Sequence, residues 1–189
     1  MDSVALLSRV VVETTRLVEG TTGELLDRPS PCAGWTARDV INHITGGATM
    51  FAISAEEGSV PDEAMAQLMG GDNLGADPQA AWKIAADRAL AAFEIPGVLE
   101  RVVKLPFGEM PAGVALDIAV FDVATHATDI ARATGQSVAD EGMLGAALEM
   151  GKQMIGPELR VPGVFDAEQP ISPDSPIADR LLAFAGRRP

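Results

Sequence analysis

The chain has 189 residues and a formal net charge of -13, and its composition is 47% hydrophobic and 4% aromatic, with no tyrosine. These values favour one largely helical domain over residues 1–189, long enough to bury a core. The acidic charge argues against nucleic acid as a partner, because phosphate binding needs clustered Lys and Arg, and it disfavours an anionic membrane surface.

Targeting signals are also absent from the sequence. The N-terminus lacks the basic start and apolar stretch of a secretory signal, and no segment approaches about 18 uninterrupted apolar residues. The single cysteine, Cys32, excludes an internal disulfide and fits a reducing compartment. We therefore predict a cytoplasmic protein without a membrane span.

The first predicted helix covers about Asp2–Glu19, where apolar residues recur at three- and four-residue spacing. A loop containing prolines follows it. The second helix begins at a strong signal, because Thr36 followed by Asp39 forms a variant capping box. Trp35 and Val40 are placed to form the hydrophobic staple of the same helix start.

The second helix is expected to run through His43 to Ala55. Gly46 and Gly47 lie inside it and weaken its helix propensity. This glycine pair predicts either close packing or a kink beside the histidine.

The rest of the chain alternates helical patterns with irregular segments, which favours an all-α helical bundle with extra short helices and a short β-hairpin. The fourth helix is apolar over most of its surface, so we expect it at the centre of the bundle. The predicted elements are a short helical piece at Glu63–Met69, a third helix at Pro78–Phe93, a strand or hairpin arm at Val98–Leu105, a turn at Pro106–Pro111, a fourth helix at Ala112–Thr134 capped by Gly135, a fifth helix at Val138–Ile155, coil at Val161–Pro176 and a terminal helix at Ile177–Ala185.

The two histidines are the most informative residues, because histidine readily serves as a neutral nitrogen ligand. Asp122, His126 and Asp129 share one face of the fourth predicted helix, so Asp122 and His126 could hold the same ion. His43 on another helix would complete a three-point metal site. The alternative is a buried helical histidine held by a carboxylate, since acidic neighbours are common in a chain with 27 Asp and Glu residues.

Three other residues suggest chemistry but have simpler interpretations. Cys32 precedes a helix start and could be a nucleophile, although a small buried apolar residue is the favoured interpretation. Trp35 could be a substrate platform, although a packing role at the helix start is favoured. Arg132 is interpreted as a cation at a helix end, where the dipole favours it.

Three segments of the sequence resemble a known family. Pro31–His43 is similar to the opening motif, PC-x-x-W-x-x-x-D-x-x-x-H, of the mycothiol-dependent maleylpyruvate isomerase N-terminal family in the DinB-like superfamily. His126–Gly135 resembles that family's H-x-x-D-L-A-R-A-T-G helix. The ending Asp179–Pro189 resembles a tail common in an uncharacterised actinobacterial metal-binding subgroup.

The resemblance implies a DinB-like four-helix bundle that holds a divalent metal through His43, Asp122 and His126. Zinc is the expected ion, with nickel, cobalt or iron as alternatives. The isomerase pattern has Glu-x-x-x-His, so Asp122 is one methylene shorter than the family's carboxylate. Asp129 is expected to accept a histidine N–H beside the metal, to give a fourth oxygen near the metal or to contact the substrate. The structural alternatives are that it caps a neighbouring helix or pairs with a surface arginine.

The function implied is that of a metal- and mycothiol-dependent thiol transferase or isomerase acting on a small electrophile. Its partners would be a small-molecule thiol and the electrophile, with the protein a monomer or homodimer. Two alternatives stay open: a metal- or small-ligand-binding bundle without catalysis, and a helical domain that has lost its metal.

Overall fold

The computed structural model describes residues 2–160 and 165–188, which form seven α-helices and one two-stranded sheet. This confirms the predicted all-α class with extra short helices. The elements are α1 (Ser3–Glu19), α2 (Ala37–Glu57), α3 (Asp62–Gly70), α4 (Pro78–Phe93), β1 (Val102–Leu105), β2 (Gly108–Pro111), α5 (Ala112–Thr134), α6 (Glu141–Met154) and α7 (Ile177–Phe184).

Four long helices, α1, α2, α4 and α5, form the bundle. Both α1 and α2 pack against α4 and α5, so each helix has two neighbours in the bundle, while α6 packs on α5 and α7. The first turns of α2 and α4 are closed by side chains. Thr36 and Asp39 form the capping box of α2, and Asp77 accepts a hydrogen bond from the backbone N–H of Ala80 at the start of α4.

The core is continuous from α1 to α7 and contains many alanines. Leu6, Ile44 and Trp82 are buried on three bundle helices, and Leu181 of α7 belongs to the same cluster. Helix α5 is buried along most of its length, which confirms its predicted central position. The small side chains on α4 and α5 let the helix backbones approach closely, so a rigid framework holds the residues that α2 and α5 present to one another.

The hairpin differs in detail from the prediction. Residues 98–100 form a short 3-10 helix, and β1 pairs antiparallel with β2, with Val103 opposite Met110. Residues 108–111, predicted to be part of the turn, are therefore a strand. Backbone hydrogen bonds to β1 make this segment a strand. Its own side chains do not predict one, because Gly108 and Pro111 are both disfavoured in strands.

The C-terminal region agrees with the prediction in outline. Helix α6 begins at Glu141, three residues later than the predicted start at Val138, because Asp140 caps it by accepting from the backbone N–H of Met143. Residues 165–176 form no helix or strand, as expected, and the first part of the predicted coil, residues 161–164, lies outside the described residues. Helix α7 confirms the predicted terminal helix.

The glycine pair of α2 marks close packing. A Cβ on Gly46 would meet the backbone oxygen of Leu68 and lie 2.6 Å from Nδ2 of Asn73, so α3 and the loop after it approach the α2 backbone directly. Asn42, one helical turn earlier, accepts from the backbone N–H of Asn73. Among the described helices, none is long and apolar enough to cross a membrane.

Candidate metal centre and its cleft

Helices α2 and α5 bring His43, Asp122 and His126 together. One carboxylate oxygen of Asp122, Oδ1, lies 3.5 Å from Nε2 of His43 and 3.5 Å from Nε2 of His126. One donor atom from each residue lies within 4.8 Å of the others. The two 3.5 Å separations at Asp122 Oδ1 exceed ordinary hydrogen-bond lengths and resemble the spacing of atoms that share one ion.

The other nitrogen of His126 faces Asp129, one helical turn further along α5. Nδ1 of His126 lies 2.9 Å from Oδ2 of Asp129. A carboxylate oxygen can only accept, so Nδ1 carries the proton and donates it to Asp129. This hydrogen bond orients the ring so that Nε2, the nitrogen that faces Asp122, is the one available to a metal ion.

Asp129 is fully buried and also contacts a residue from the C-terminal end of the chain. Arg187 donates to Oδ2 of Asp129 from its Nε, at 3.3 Å, and from one terminal nitrogen, at 3.1 Å. The guanidinium also donates to the backbone oxygen of Ala185, which fixes it to its own segment. The positive charge of Arg187 thus compensates a carboxylate that has no access to water.

The ring of Trp35 covers the two histidines. Its centroid lies 5.9 Å from that of His126, with the rings nearly parallel at 14°, and 5.1 Å from that of His43. The segment before α2 therefore places an aromatic face over the imidazoles. Trp35, predicted to pack at the helix start, contacts the candidate metal ligands.

The cluster lies in a cleft of about 1320 Å³. The walls come from four parts of the fold: the loop before α2, the facing sides of α2 and α5, the end of α3, and the C-terminal segment. The residues that the last part contributes are Phe165, Asp166, Ala167, Gln169, Ala185, Gly186, Arg187 and Arg188. The cleft is large enough for a small organic molecule beside an ion.

The charges of the cluster shift the pKa values of its members. Burial raises the pKa of Asp122, but His43 and His126 outweigh that effect and lower it to about 2. Burial also lowers the pKa of His43, and Asp122 more than offsets this, so the pKa of His43 is raised. Asp122 is therefore a carboxylate at neutral pH, as a metal ligand must be.

Cys32 lines the same cleft, half-buried, with its sulfur 3.9 Å from a terminal nitrogen of Arg187. Burial raises the pKa of its thiol, and the nearby Arg187 counters this only in part. The thiol is therefore protonated at neutral pH, which argues against Cys32 as a nucleophile.

Two arginines differ in how well the sequence predicted their roles. Arg132 pairs with Asp179 of α7, which fits its predicted structural role. Arg187 was missed, because nothing in its spacing relates it to Asp129. The only signal was the arginine pair at 187 and 188 in a tail that resembles other family members.

The fold and the cleft therefore define a helical bundle with a candidate two-histidine, one-carboxylate metal centre. Residues 7–131 match the family model described as the mycothiol maleylpyruvate isomerase N-terminal domain, and the chain belongs to that family. All three candidate ligands and Asp129 lie within the matched residues, whereas Arg187 lies beyond them.

Two curated relatives are similar over most of the chain. The uncharacterized proteins Rv0738 and MT0763 of Mycobacterium tuberculosis, strains H37Rv and CDC 1551, are each 36% identical over 173 residues, covering 90% of both chains.

Solved structures of the mycothiol-dependent maleylpyruvate isomerase share the fold at 18% sequence identity. For the structure of its histidine-to-alanine mutant the TM-score is 0.60, and the match covers 79% of this chain and 64% of the mutant's chain. A second structure has a TM-score of 0.57 over 82% of this chain and 72% of the other.

Proposed function

We propose that this protein binds a divalent metal and uses it, with a low-molecular-weight thiol, to transform a small electrophile by thiol transfer or thiol-assisted isomerisation. The observation that carries the proposal is the convergence of His43, Asp122 and His126 at one point of a cleft. Membership of the family supports mycothiol as the thiol.

The three residues fit a metal ion by the chemistry of their donors. Two imidazole nitrogens and one carboxylate suit zinc, and also nickel, cobalt or iron. Two atoms that bind zinc at about 2.0–2.1 Å lie about 3–3.5 Å apart, and Asp122 Oδ1 lies 3.5 Å from each Nε2. Zinc is the ion we propose first.

Aspartate in place of the glutamate expected from the resemblance does not prevent this fit. A Cβ added at Gly47 would lie 3.8 Å from Oδ2 of Asp122, so α2 passes close to the carboxylate. The shorter side chain of Asp122 already places Oδ1 3.5 Å from Nε2 of each histidine.

A bound ion would supply Lewis acidity that stabilises a thiol ligand as its thiolate at neutral pH. The protein's own residues prepare the site for this. The Asp129 hydrogen bond orients the ring of His126 with Nε2 towards Asp122, and the indole of Trp35 stacks on that ring. The rest of the cleft would hold the electrophile and the body of the thiol.

The charges that line the cleft limit the net charge of the substrate it can accept. Asp39, Asp122 and Asp166 line the cleft together with Arg187 and Arg188, and Asp129 lies beneath it. With a divalent cation bound, positive and negative charges in the cleft come close to balance. This favours a neutral or singly charged electrophile over a polyanion.

Binding without catalysis is the second candidate. It is favoured by the fact that carboxylates of the cleft are already engaged: Asp39 accepts from the backbone N–H and hydroxyl of Thr36, and Asp122 lies between the histidines. A general base therefore has to come from the thiol, a bound water or Asp166.

The experiment has two stages. Untagged protein purified without chelator is analysed for metal, and the proposal predicts close to one equivalent of a transition metal. Less than about a tenth of an equivalent, with no uptake of added zinc, would contradict the metal site.

Turnover is then measured with mycothiol, with and without zinc, for the neutral electrophile 1-chloro-2,4-dinitrobenzene, which the charge balance of the cleft favours, and for the dianion maleylpyruvate, the substrate that the family's name gives. Turnover that needs both zinc and mycothiol, and that is lost in His43→Ala and His126→Ala, supports the enzyme. Zinc binding with no turnover of either electrophile supports the non-catalytic alternative. Turnover unchanged in the two histidine variants contradicts the proposed mechanism.

A further inference from the structure

The geometry points to Arg187 as a positioning residue that fixes His126 for metal binding by holding Asp129. This inference rests on the proposed metal site and adds to it a residue outside the matched family domain. Arg187 acts through another side chain, so it is distinct from the candidate ligands.

The chain of contacts is continuous and buried. Arg187 donates two hydrogen bonds to Oδ2 of Asp129, and the same oxygen accepts from Nδ1 of His126. The side chain of Asp129 is 0% exposed, that of His126 7% and that of Arg187 14%. A network with so little water around it has fixed geometry, and removing one member leaves the next without compensation.

The positive charge of Arg187 is needed because of where Asp129 lies. Oδ1 of Asp129 is buried and has no hydrogen-bond partner within residues 2–160 and 165–188, so the three contacts at Oδ2 carry the stabilisation of its charge. Arginine suits this task, because its planar fork directs two N–H groups at one carboxylate. Without it, the buried carboxylate is expected to turn towards water and to release the imidazole of His126.

The Arg187–Asp129 contact also joins the C-terminal segment to α5. Arg187 is 58 residues beyond Asp129 and follows α7, whose residues Leu181 and Phe184 are buried in the core. The preceding residue, Gly186, has a φ of +87° and packs against Asp166, so the tail is bent into the cleft there. The C-terminal segment thus contacts Asp129 directly and, through it, the candidate ligand His126.

Comparison with other ion pairs separates this one from surface pairing. Arg88 with Glu56 and Lys83 with Asp87 also form ion pairs, but these side chains are 28–63% exposed. Such pairs contribute little to stability and direct no ligand. The Arg187–Asp129 pair is enclosed. Asp129 in turn holds Nδ1 of His126, and this contact determines which nitrogen of that ring is available to a metal.

The test uses Arg187→Gln and Arg187→Lys in the full chain, with Arg188→Gln as matched control. Arg188 is the adjacent arginine and also lines the cleft. The first readout is the ¹⁵N-correlated imidazole spectrum of the metal-free protein, which contains signals from only two histidines. His43→Gln assigns them.

We expect the wild type and Arg188→Gln to show a slowly exchanging Nδ1 proton on His126, because Asp129 holds it. In Arg187→Gln that proton exchanges rapidly and the His126 signals shift, because the ring is no longer held. Zinc affinity, the second readout, falls by about 10–100-fold in this variant, the range typical of groups that orient a metal ligand. Arg187→Lys keeps the charge without the fork, so it gives a smaller change of the same sign.

The two readouts separate the inference from the proposed function. Zinc that fails to bind the wild type contradicts the metal site, while the imidazole spectrum still decides the role of Arg187. A His126 spectrum in Arg187→Gln identical to that of the wild type overturns the inference. If the glutamine variant does not fold by circular dichroism, the lysine variant decides: an unchanged spectrum and zinc affinity overturn it, and the partial changes support it.

Discussion

Nε2 of His43 lies 3.5 Å from Oδ1 of Asp122, and this contact joins helices α2 and α5 at the base of the cleft. The same oxygen lies 3.5 Å from Nε2 of His126. Asp122 is therefore the shared point of the cluster, and its charge raises the pKa of His43.

Asp122→Asn should weaken zinc binding at least tenfold, or about 1.4 kcal/mol. The variant keeps the size of the side chain and removes its negative charge, so the neutral amide is a poorer ligand. Isothermal titration with zinc measures the change. Asp117→Asn is the control, because Asp117 lies on the same helix and accepts from Ser3 at 2.6 Å, away from the cluster. Equal affinities for Asp122→Asn and the wild type would rule out Asp122 as a ligand.

The metal-free protein should show a pH-dependent contribution from the His43–Asp122 pair. The pKa of His43 is raised above 6.5, so its charged form stabilises the fold below pH 6.5, and the effect is lost as the pH rises through the folded pKa. The pKa of Asp122 is lowered from 3.8 to about 2, so its contribution is present above pH 3.8 and is lost as the pH falls towards 2.

The window for this pair is therefore about pH 4–6. Urea denaturation of the wild type and His43→Gln measures the difference in free energy of unfolding across pH 3–9. The difference should be largest inside the window and decrease above it. A difference that grows as the pH rises beyond 7 would show that the pair is not charged in the folded state.

Zinc binding should change the fluorescence of Trp35, because its ring covers both imidazoles. Trp82 provides an internal control: it is buried and donates to the hydroxyl of Thr15, outside the cleft. A zinc titration followed by tryptophan emission should give a signal in Trp82→Phe and none in Trp35→Phe. A zinc-dependent signal that persists in Trp35→Phe would place the ion elsewhere.

The glycine pair of α2 should respond unequally to alanine. A Cβ at Gly46 collides with the backbone of Leu68, so Gly46→Ala should cost about 1–3 kcal/mol. A Cβ at Gly47 meets only Oδ2 of Asp122 at 3.8 Å, an ordinary contact. Gly47→Ala should therefore be neutral or stabilise by up to about 1 kcal/mol through helix propensity. Chemical denaturation of both variants measures this, and equal effects would contradict the packing described for Gly46.

The sequence predicts most of the fold because local signals agree with the tertiary structure. The Thr36–Asp39 box starts α2, and Gly135 ends α5 in the left-handed conformation that its position predicts. The strand at Gly108–Pro111 could not be predicted, because its pairing partner determines it and not its own composition.

The candidate site was predictable only in part. Helical spacing places Asp122, His126 and Asp129 on one face, but only the family resemblance relates His43 to them. The Arg187–Asp129 contact joins residues 58 positions apart through an irregular tail, so no periodic pattern contains it. The metal ligation and the single domain over residues 1–189 stay predictions.

Anomalous diffraction at the zinc edge, from crystals grown with one equivalent of zinc, tests the central claim most directly. The account predicts one ion bound by Nε2 of His43, Nε2 of His126 and a carboxylate oxygen of Asp122, each at about 2.0–2.2 Å. An anomalous peak elsewhere in the molecule, or none in the cleft, would contradict it.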